Sequence, residues 1–198
     1  MREREPPVVR ERDLRIQGSV VVVGAADTLH EDLSERPVRP RERVIVADGA
    51  LTGLLEHDIT PHLVVSDLDG DMHRLMALNL DRVPVAVHAH GDNMGRLRQW
   101  VPELPGILMG TRQNPGPAPS DILNPGGFGD GDRAVFLAAR LGADRIRLVG
   151  FDLHGEPGRL SHHTDPVRKK KKMAWSARIL ADAHRLGIPL EEREGRGV

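Results

Sequence analysis

Apolar residues along this chain occur in short continuous runs that alternate with segments of helical periodicity. Continuous apolar runs of strand length are typical of a parallel sheet that is covered by helices on both faces. These runs lie at 19–24, 43–48, 62–67, 83–89, 106–110 and 144–150. Helical patterns lie between them at 49–58, 71–80, 93–101 and 132–144, and a final one extends from Pro166 to Leu186. The pattern predicts an α/β fold, a three-layer and mostly parallel sheet flanked by helices.

Local signals also predict where helices begin and which segments stay irregular. Asp130 is the predicted N-cap of one helix and Asp165 that of the last, which has Pro166 at its first helical position. Residues 111–129 hold too many Pro and Gly for a regular element and predict a long loop. We expect one catalytic domain at 19–192, between a charged lead-in at 1–18 and a tail at 193–198.

Composition excludes several classes of function. The chain has no cysteine, which excludes disulfides, thiolate metal sites and a cysteine nucleophile. Lys+Arg 28 against Asp+Glu 29 gives no net charge that would favour nucleic acid. No apolar run approaches the roughly 18 residues that a membrane span needs, and the start has no signal-peptide pattern. The expected location is the cytoplasm, with no nucleic-acid or membrane partner.

Several glycines and polar residues follow directly after the predicted strands. In a parallel α/β sheet, ligands bind outside the carboxyl ends of the strands, so these residues should converge on one edge. They are Gly24, Asp48, Asp67, Asp69, His88, His90, Gly110, Thr111, Gly150 and Asp152.

The stretch VVSDLDGD places carboxylates at alternate positions, Asp67, Asp69 and Asp71. Neighbouring anions repel by roughly 1 kcal/mol per pair or more, which favours a bound cation. An acidic turn and a phosphatase of the haloacid-dehalogenase type are alternatives, whereas Met72 and Leu78 exclude an EF-hand loop. The favoured interpretation is Mg²⁺ held by Asp67 and Asp69 together with substrate phosphates. Asp48 is either a further ligand or a helix cap.

Two further segments carry candidate binding residues. GGFGDGDR, from Gly126 to Arg133, brings side-chain-free backbone to a helix start, where N–H groups approach a phosphate or a flat ring closely. Phe128 is either a stacking surface for a ligand or a core residue.

The cations at 168–172 lie in the first turns of the last helix, where they oppose the helix dipole. They indicate either a bound polyanion or a solvated face.

Taken together, these motifs resemble the archaeal 6-hydroxymethyl-7,8-dihydropterin diphosphokinases in order and spacing. The resemblance covers about residues 20 to 187 and rests on ADGA, ITPHLVVSDLDGD, VHAHGDN, GTRQ, NPGGFGDGDRAVFLAARLGADRIRLVGFDL and the Lys-rich helix. It implies a catalytic domain similar to thiamin diphosphokinase. It also implies transfer of diphosphate from ATP, with Mg²⁺, to the hydroxymethyl group of the dihydropterin, in tetrahydromethanopterin or folate biosynthesis.

The expected site has four groups of residues. Asp67 and Asp69, supported by Asp48, would hold the metal, and Asp92 or His90 would accept the hydroxymethyl proton. Phosphates of ATP would meet Gly24, Arg168, Lys169, Lys170, Lys171 and Lys172. Nucleotide or pterin would contact Thr111, Gln113, Gly126, Gly127, Phe128, Asp130 and Asp132.

This chain departs from the family pattern at two loops. GAADTL at 24–29 stands where a sequence like GPSL is usual, and Gly129 stands where Thr is usual. The alternatives are a thiamin diphosphokinase and a sugar-nucleotide-using transferase or nucleotide-binding protein of the same superfamily. Flagellin-modifying members of that superfamily are much longer, so the length of 198 residues favours the kinase. A monomer and a homodimer both stay open.

Overall fold

The computed structural model describes residues 8–117, 119, 121–152, 166–183 and 185–191. The side chains of Pro166, Arg168 and Lys169 fall outside this description, as does the predicted N-cap Asp165.

Within the described residues, one seven-stranded sheet has the order β6-β5-β4-β3-β2-β1-β7, and every neighbouring pair is parallel. The strands are β1 Ser19–Val23, β2 Arg43–Ala47, β3 Leu63–Ser66, β4 Val85–Ala89, β5 Leu108–Arg112, β6 Ile122–Leu123 and β7 Arg145–Val149. The helices are α1 Leu29–Glu35, α2 Leu51–Leu55, α3 Met72–Leu80, α4 Met94–Trp100, α5 Asp130–Leu141 and α6 Pro166–Ala181. Short 3₁₀ turns lie at Glu11–Leu14, Asp48–Ala50 and Val101–Glu103. The predicted three-layer, parallel α/β fold is therefore confirmed.

The two faces of the sheet carry separate apolar cores. One core packs the valines of the central strands against α1 to α4 through residues such as Leu29, Leu54 and Leu75. The other packs the opposite face against α5 and α6 through residues such as Leu137 and Leu180. Burial on both faces explains why the strands read as continuous apolar runs.

The strand order reverses between β1 and β7. From β1 the chain proceeds outward through β2 to β6, and α5 then returns it to the far side of β1. Gly24 and Gly150 end these two strands, and a Cβ on Gly24 would lie 2.7 Å from the carbonyl oxygen of Gly150. The carboxyl ends of the strands at this reversal form the crevice in which open α/β sheets bind ligands.

Several predicted boundaries were wrong. Helix α5 begins at Asp130 with Gly129 as its N-cap, so Asp130 is the first helical residue and does not cap. Helix α6 ends at Ala181, short of the predicted Leu186. Helix α1 was not predicted, and neither was β6, which pairs with β5 inside the predicted 111–129 loop.

The described part of the charged lead-in contacts the domain. Val8 forms a bridge with Leu108, and the Val9 N–H donates to the Leu108 carbonyl at 2.8 Å. Arg140 on α5 is paired with Glu11 at 3.1 Å.

None of the helices in the described part of the chain combines the length and apolar surface that a membrane crossing requires.

Candidate active site

Three carboxylates from neighbouring strand ends meet at the carboxyl edge of the sheet. Asp48 follows β2, and Asp67 and Asp69 follow β3. One oxygen from each lies within 4.8 Å of the others. The parallel pairing of β2 with β3 brings the two strand ends side by side, as the sequence predicted.

The turn after β3 is held by hydrogen bonds that fix Asp48. Ser66 Oγ donates to Asp48 Oδ2 at 2.5 Å and accepts the Leu68 N–H at 2.8 Å. The Gly70 N–H donates to the same Asp48 oxygen at 3.2 Å, and a Cβ on Gly70 would collide with that carboxylate. Leu68 has φ 65 and is buried, a left-handed backbone that costs about 1 kcal/mol or more. This turn orients Asp67 and Asp69 at the expense of local strain.

The third carboxylate of the motif has a different role. Asp71 is the N-cap of α3, and its side chain accepts the Arg74 N–H at 3.1 Å. Its other oxygen pairs with the Arg74 guanidinium at 3.3 Å. The alternating acidic pattern therefore combines two carboxylates of the cluster with one helix cap.

The turn after β4 is attached to the same cluster. His90 Nε2 lies 2.9 Å from Asp67 Oδ2. The buried Asn93 amide donates to the His88 carbonyl at 2.7 Å and to the Asp67 carbonyl at 3.1 Å, while its oxygen accepts the His90 N–H at 3.2 Å. The polar HGDN segment is thus a structural link between the ends of β3 and β4.

Arg96, on helix α4, supplies a cation that the sequence reasoning missed. Its Nη1 lies 3.0 Å from Asp69 Oδ2 and 3.6 Å from Asp67 Oδ1. Arg96 is three residues after Asn93, one helical turn along, so the anchored turn brings its side chain over the carboxylates.

Burial and mutual repulsion raise the pKa values of carboxylates in the cluster. Burial raises the pKa of Asp48 to about 6; the Ser66 hydrogen bond opposes this rise, and the charge of Asp69 adds to it. Burial, followed by the nearby Asp69, raises the pKa of Asp67. Burial and then the charges of Asp67, Asp48 and Asp69 raise the pKa of Asp130 well above its usual range. Asp130 is therefore electrostatically part of the cluster, although it lies on α5.

The donor set fits a hard divalent cation. Asp48 Oδ1 and Asp67 Oδ1 are buried and accept no hydrogen bond from the described residues. Buried carboxylate oxygens without donors are costly unless a cation meets them. Together with Asp69 they could bind a divalent metal, and oxygen ligands of this kind suit Mg²⁺.

His88 is a buried, neutral imidazole on the cavity wall. Burial lowers its pKa to about 3, and the charges of Arg133 and His90 contribute, while the backbone of Thr111 partly opposes the shift. Its ring is tilted against that of His90 with centroids 5.3 Å apart. His88 therefore carries no charge at neutral pH.

The glycine loop before α5 is clamped from both ends. Asp132 accepts the N–H groups of Phe128 at 2.6 Å and Gly129 at 2.8 Å, and it accepts the Ser176 hydroxyl of α6 at 3.2 Å. Gln113 donates to the Phe128 carbonyl at 2.7 Å. The buried Arg133 donates to the carbonyls of Gly127 at 3.0 Å and Arg112 at 3.2 Å.

Glycine is required at Gly127 in this loop. Its φ is 79, and a Cβ there would lie 2.6 Å from the Arg133 backbone. Gly129, where the family pattern usually has Thr, has an extended backbone, and a Cβ would meet only the Asp132 carboxylate at 3.3 Å. The clamped loop leaves Phe128 with 41% of its surface exposed.

A cavity of about 340 Å³ joins these parts of the sheet edge. The acidic cluster, the turn after β4, the glycine loop and the middle of α6 all contribute to its wall. Predicted residues on the wall are Gly24, Asp67, Asp69, His88, His90, Asp92, Gln113, Phe128, Asp130, Asp132, Gly150, Asp152 and Lys172. Phe151, Met173 and Ser176 line it as well and were not predicted.

Other predicted residues lie away from the wall. Thr111 is buried in β5 and donates its hydroxyl to the Val87 carbonyl at 3.2 Å, so its role in the structure is within the sheet. Gly126 and Gly127 lie behind Phe128, and Asp48 contributes from beneath the surface. Lys170 and Lys171 are exposed on α6 outside the cavity wall, and the side chains of Arg168 and Lys169 lie outside the described residues.

Known proteins resemble this chain at the levels of sequence and fold. A model of the 6-hydroxymethylpterin diphosphokinase MptE-like family matches residues 7–156. The 6-hydroxymethyl-7,8-dihydropterin pyrophosphokinase of Methanothermobacter thermautotrophicus is 40% identical over 201 residues, covering 96% of this chain and 84% of that protein. The protein of the same name from Pyrococcus furiosus is 44% identical over 173 residues, covering 84% of this chain and 72% of its own length.

Structural likeness extends to a more distant fold relative. The MAf glycosyltransferase of Magnetospirillum magneticum AMB-1 aligns with a TM-score of 0.56 at 17% identity, over 83% of this chain and 27% of that one. This shared fold covers only a part of the much longer transferase. The sequence relatives are decisive: this chain belongs to the 6-hydroxymethylpterin diphosphokinase MptE-like family.

Proposed function

We propose that this protein transfers the terminal diphosphate of ATP to the hydroxymethyl group of 6-hydroxymethyl-7,8-dihydropterin, with Mg²⁺ as its cofactor. The products are AMP and the pterin diphosphate. The observation that carries the proposal is the carboxylate cluster of Asp48, Asp67 and Asp69, which opens on a cavity that also has a cationic and an aromatic wall. The names of the curated relatives supply the acceptor.

The donor half of the cavity suits a polyphosphate. Gly24 and Gly150 bring side-chain-free backbone to the strand reversal, and Lys172 adds a cation from the middle of α6. Asp67 and Asp69, backed by Asp48, would hold Mg²⁺, which when bound supplies positive charge that neutralises phosphate oxygens. The protein's own contribution is to orient the triphosphate and exclude water from it.

The acceptor half suits a flat heterocycle. Phe128 exposes its ring on the wall, and the hydrogen bonds of Gln113 and Asp132 keep its loop rigid. A rigid aromatic surface is suited to stacking on a flat heterocycle. A cavity of about 340 Å³ is also in the range of small-molecule sites.

The reaction is one displacement at the β-phosphorus. The hydroxymethyl oxygen forms a bond to that phosphorus, the bond from it to the bridging oxygen of the α-phosphate breaks, and AMP leaves with the electron pair. The hydroxyl proton passes to Asp92 or His90, both on the cavity wall. His90 is already oriented by Asp67 at 2.9 Å, whereas Asp92 is exposed toward solvent. The product would enter tetrahydromethanopterin or folate biosynthesis. Because ATP is a cytoplasmic metabolite, we expect the reaction to take place in the cytoplasm.

The test is incubation with Mg-ATP and a panel of acceptors, followed by chromatography of the nucleotides. We expect AMP in amounts equal to the pterin diphosphate, with the pterin as acceptor. ADP in place of AMP would mean single phosphoryl transfer and would contradict the proposal. AMP formed with thiamin and not with the pterin would keep the mechanism and change the substrate.

A further inference from the structure

Among the described residues, Arg96 is an arginine that contacts two carboxylates of the cluster. One guanidinium nitrogen reaches Asp69 at 3.0 Å and Asp67 at 3.6 Å. Its side chain is 34% exposed, so it is covered in part by its surroundings and can still move outward. The oxygens that it contacts belong to the residues that are expected to hold the metal.

Such a cation stabilises the cluster whenever no metal is present. Three carboxylates within 4.8 Å repel one another strongly because Asp48 and much of Asp67 are screened from water. A guanidinium is always charged, so it neutralises this repulsion at every physiological pH. Without it, His90 would be the contact that remains to Asp67 among the ion pairs of the described residues, and the strained turn at Leu68 would hold both carboxylates.

The same contact competes with binding of a divalent cation. A metal that approached Asp69 Oδ2 would share that oxygen with the guanidinium, which lies 3.0 Å from it. A second positive charge a few ångströms from the ion also repels it. The two cations therefore compete for the same carboxylates.

We propose that Arg96 is a built-in counter-ion that holds the carboxylates together in the metal-free protein and is displaced when the divalent cation binds. This inference rests on the metal role assigned under the proposed function. Displacement makes the metal alone bind weakly, since the released guanidinium loses its partner. A polyphosphate that arrives with the metal supplies a new partner, so Arg96 favours entry of the metal together with its nucleotide.

The test is titration with Mn²⁺ alone, by calorimetry or electron paramagnetic resonance, of the wild-type protein and Arg96→Gln. We expect Arg96→Gln to bind Mn²⁺ about threefold to tenfold more tightly, because one competing charge has been removed. Arg96→Lys should stay near the wild-type value. Arg98→Gln is the matched control, since Arg98 is exposed on the same helix and no ion pair of it is seen among the described residues.

Two outcomes would overturn the inference. In the first, Arg96→Gln binds Mn²⁺ as weakly as the wild type or more weakly, with Arg98→Gln unchanged. In the second, neither the wild type nor Arg96→Gln binds Mn²⁺ at all, which would also remove the metal from the proposed function. Arg96→Met repeats the comparison should Arg96→Gln fail to fold.

Neither ATP nor pterin enters this titration. Tighter Mn²⁺ binding by Arg96→Gln would therefore stand even if the acceptor assay failed. Conversely, formation of pterin diphosphate with an unchanged Mn²⁺ affinity in Arg96→Gln would preserve the function and defeat the role of Arg96.

Discussion

The two ends of strand β2 carry buried carboxylates in opposite electrostatic settings. Glu42, just before the strand, pairs with the buried Arg147 at 2.9 Å. Burial alone would raise the pKa of Glu42, but the hydrogen bond and charge of Arg147 lower it below its ordinary value. Asp48, just after the strand, lies among other carboxylates, and its pKa is raised to about 6.

This difference separates a carboxylate that is neutralised by a paired arginine from one that has other carboxylates around it. Arg147 also donates to the Arg36 carbonyl at 2.9 Å, so the pair is satisfied within the protein. Asp48 keeps one buried oxygen that accepts no hydrogen bond from the described residues. A carboxylate that the fold leaves incompletely neutralised is arranged for a ligand, whereas a fully paired one is arranged for stability.

The largest expected effect is at the amino end of β2, where Glu42 pairs with Arg147. Arg147→Met should lower the free energy of unfolding by about 3 kcal/mol or more, because it leaves the buried Glu42 without its cation. Urea denaturation at neutral pH measures this loss. Turnover per folded molecule should stay at the wild-type level, since the pair lies at the amino end of β2, away from the cavity. A stability within about 0.5 kcal/mol of wild type would refute the structural role.

Beside Asp48, the carboxylates that follow β3 should be needed for activity and not for stability. Asp67→Asn or Asp69→Asn should lower turnover by about a hundredfold or more, because an amide cannot supply the charge that the metal requires. The matched control is Asp71→Asn, which keeps an N-capping side chain and should retain activity. Steady-state rates measure the loss of turnover, and circular dichroism shows whether the variants are folded. Normal turnover in both cluster variants would remove the metal assignment.

Acid should weaken the Glu42–Arg147 ion pair. The pKa of Glu42 is lowered from 4.5 in the folded protein. The stability that ionised Glu42 contributes is therefore fully present above pH 4.5, and it is lost as the pH falls through the lower pKa of the folded state. The difference in free energy of unfolding between wild type and Glu42→Gln should therefore shrink as pH falls below 4.5. Denaturation series at several pH values measure this difference, and one that grows in acid would contradict the sign.

The smallest expected effect concerns the basic start of α6. Lys172 lines the cavity, whereas Lys171 is exposed outside its wall. Lys172→Ala should weaken binding of a non-hydrolysable ATP analogue by about threefold to tenfold, since one charge near the phosphates is lost. Lys171→Ala is the control and should change affinity much less. Equal affinities for both variants and the wild type would mean that the cations at 168–172 form a solvated face and do not bind phosphate.

The sequence predicted the sheet because strand periodicity is a local property. Helix α1 escaped prediction since its buried Asp32 reads as polar, and only the fold reveals that its carboxylate accepts the Gly150 N–H at 2.8 Å. Strand β6 is two residues in a Pro-rich loop and exists through its pairing with β5. Elements that depend on distant partners leave little trace in a single sequence.

The candidate site likewise combines residues that could be predicted from the sequence with residues that could not. Asp67 and Asp69 could be selected from the sequence because they follow a buried strand. Their neighbour Asp71 could not be separated from them, since its capping role depends on where α3 begins. Arg96 could not be found either, because its contact requires the turn of Asn93 to be folded against β3.

The most direct test is a crystal structure with Mn²⁺ and α,β-methylene-ATP, whose bridging carbon prevents cleavage at the bond that should break. We expect an anomalous Mn²⁺ peak between the phosphates and the carboxylates of Asp67 and Asp69, at metal–oxygen distances of about 2.0–2.3 Å. We also expect Arg96 to have left Asp69. A nucleotide bound elsewhere, or Mn²⁺ at a site that does not include Asp67 and Asp69, would contradict the proposed metal and nucleotide site.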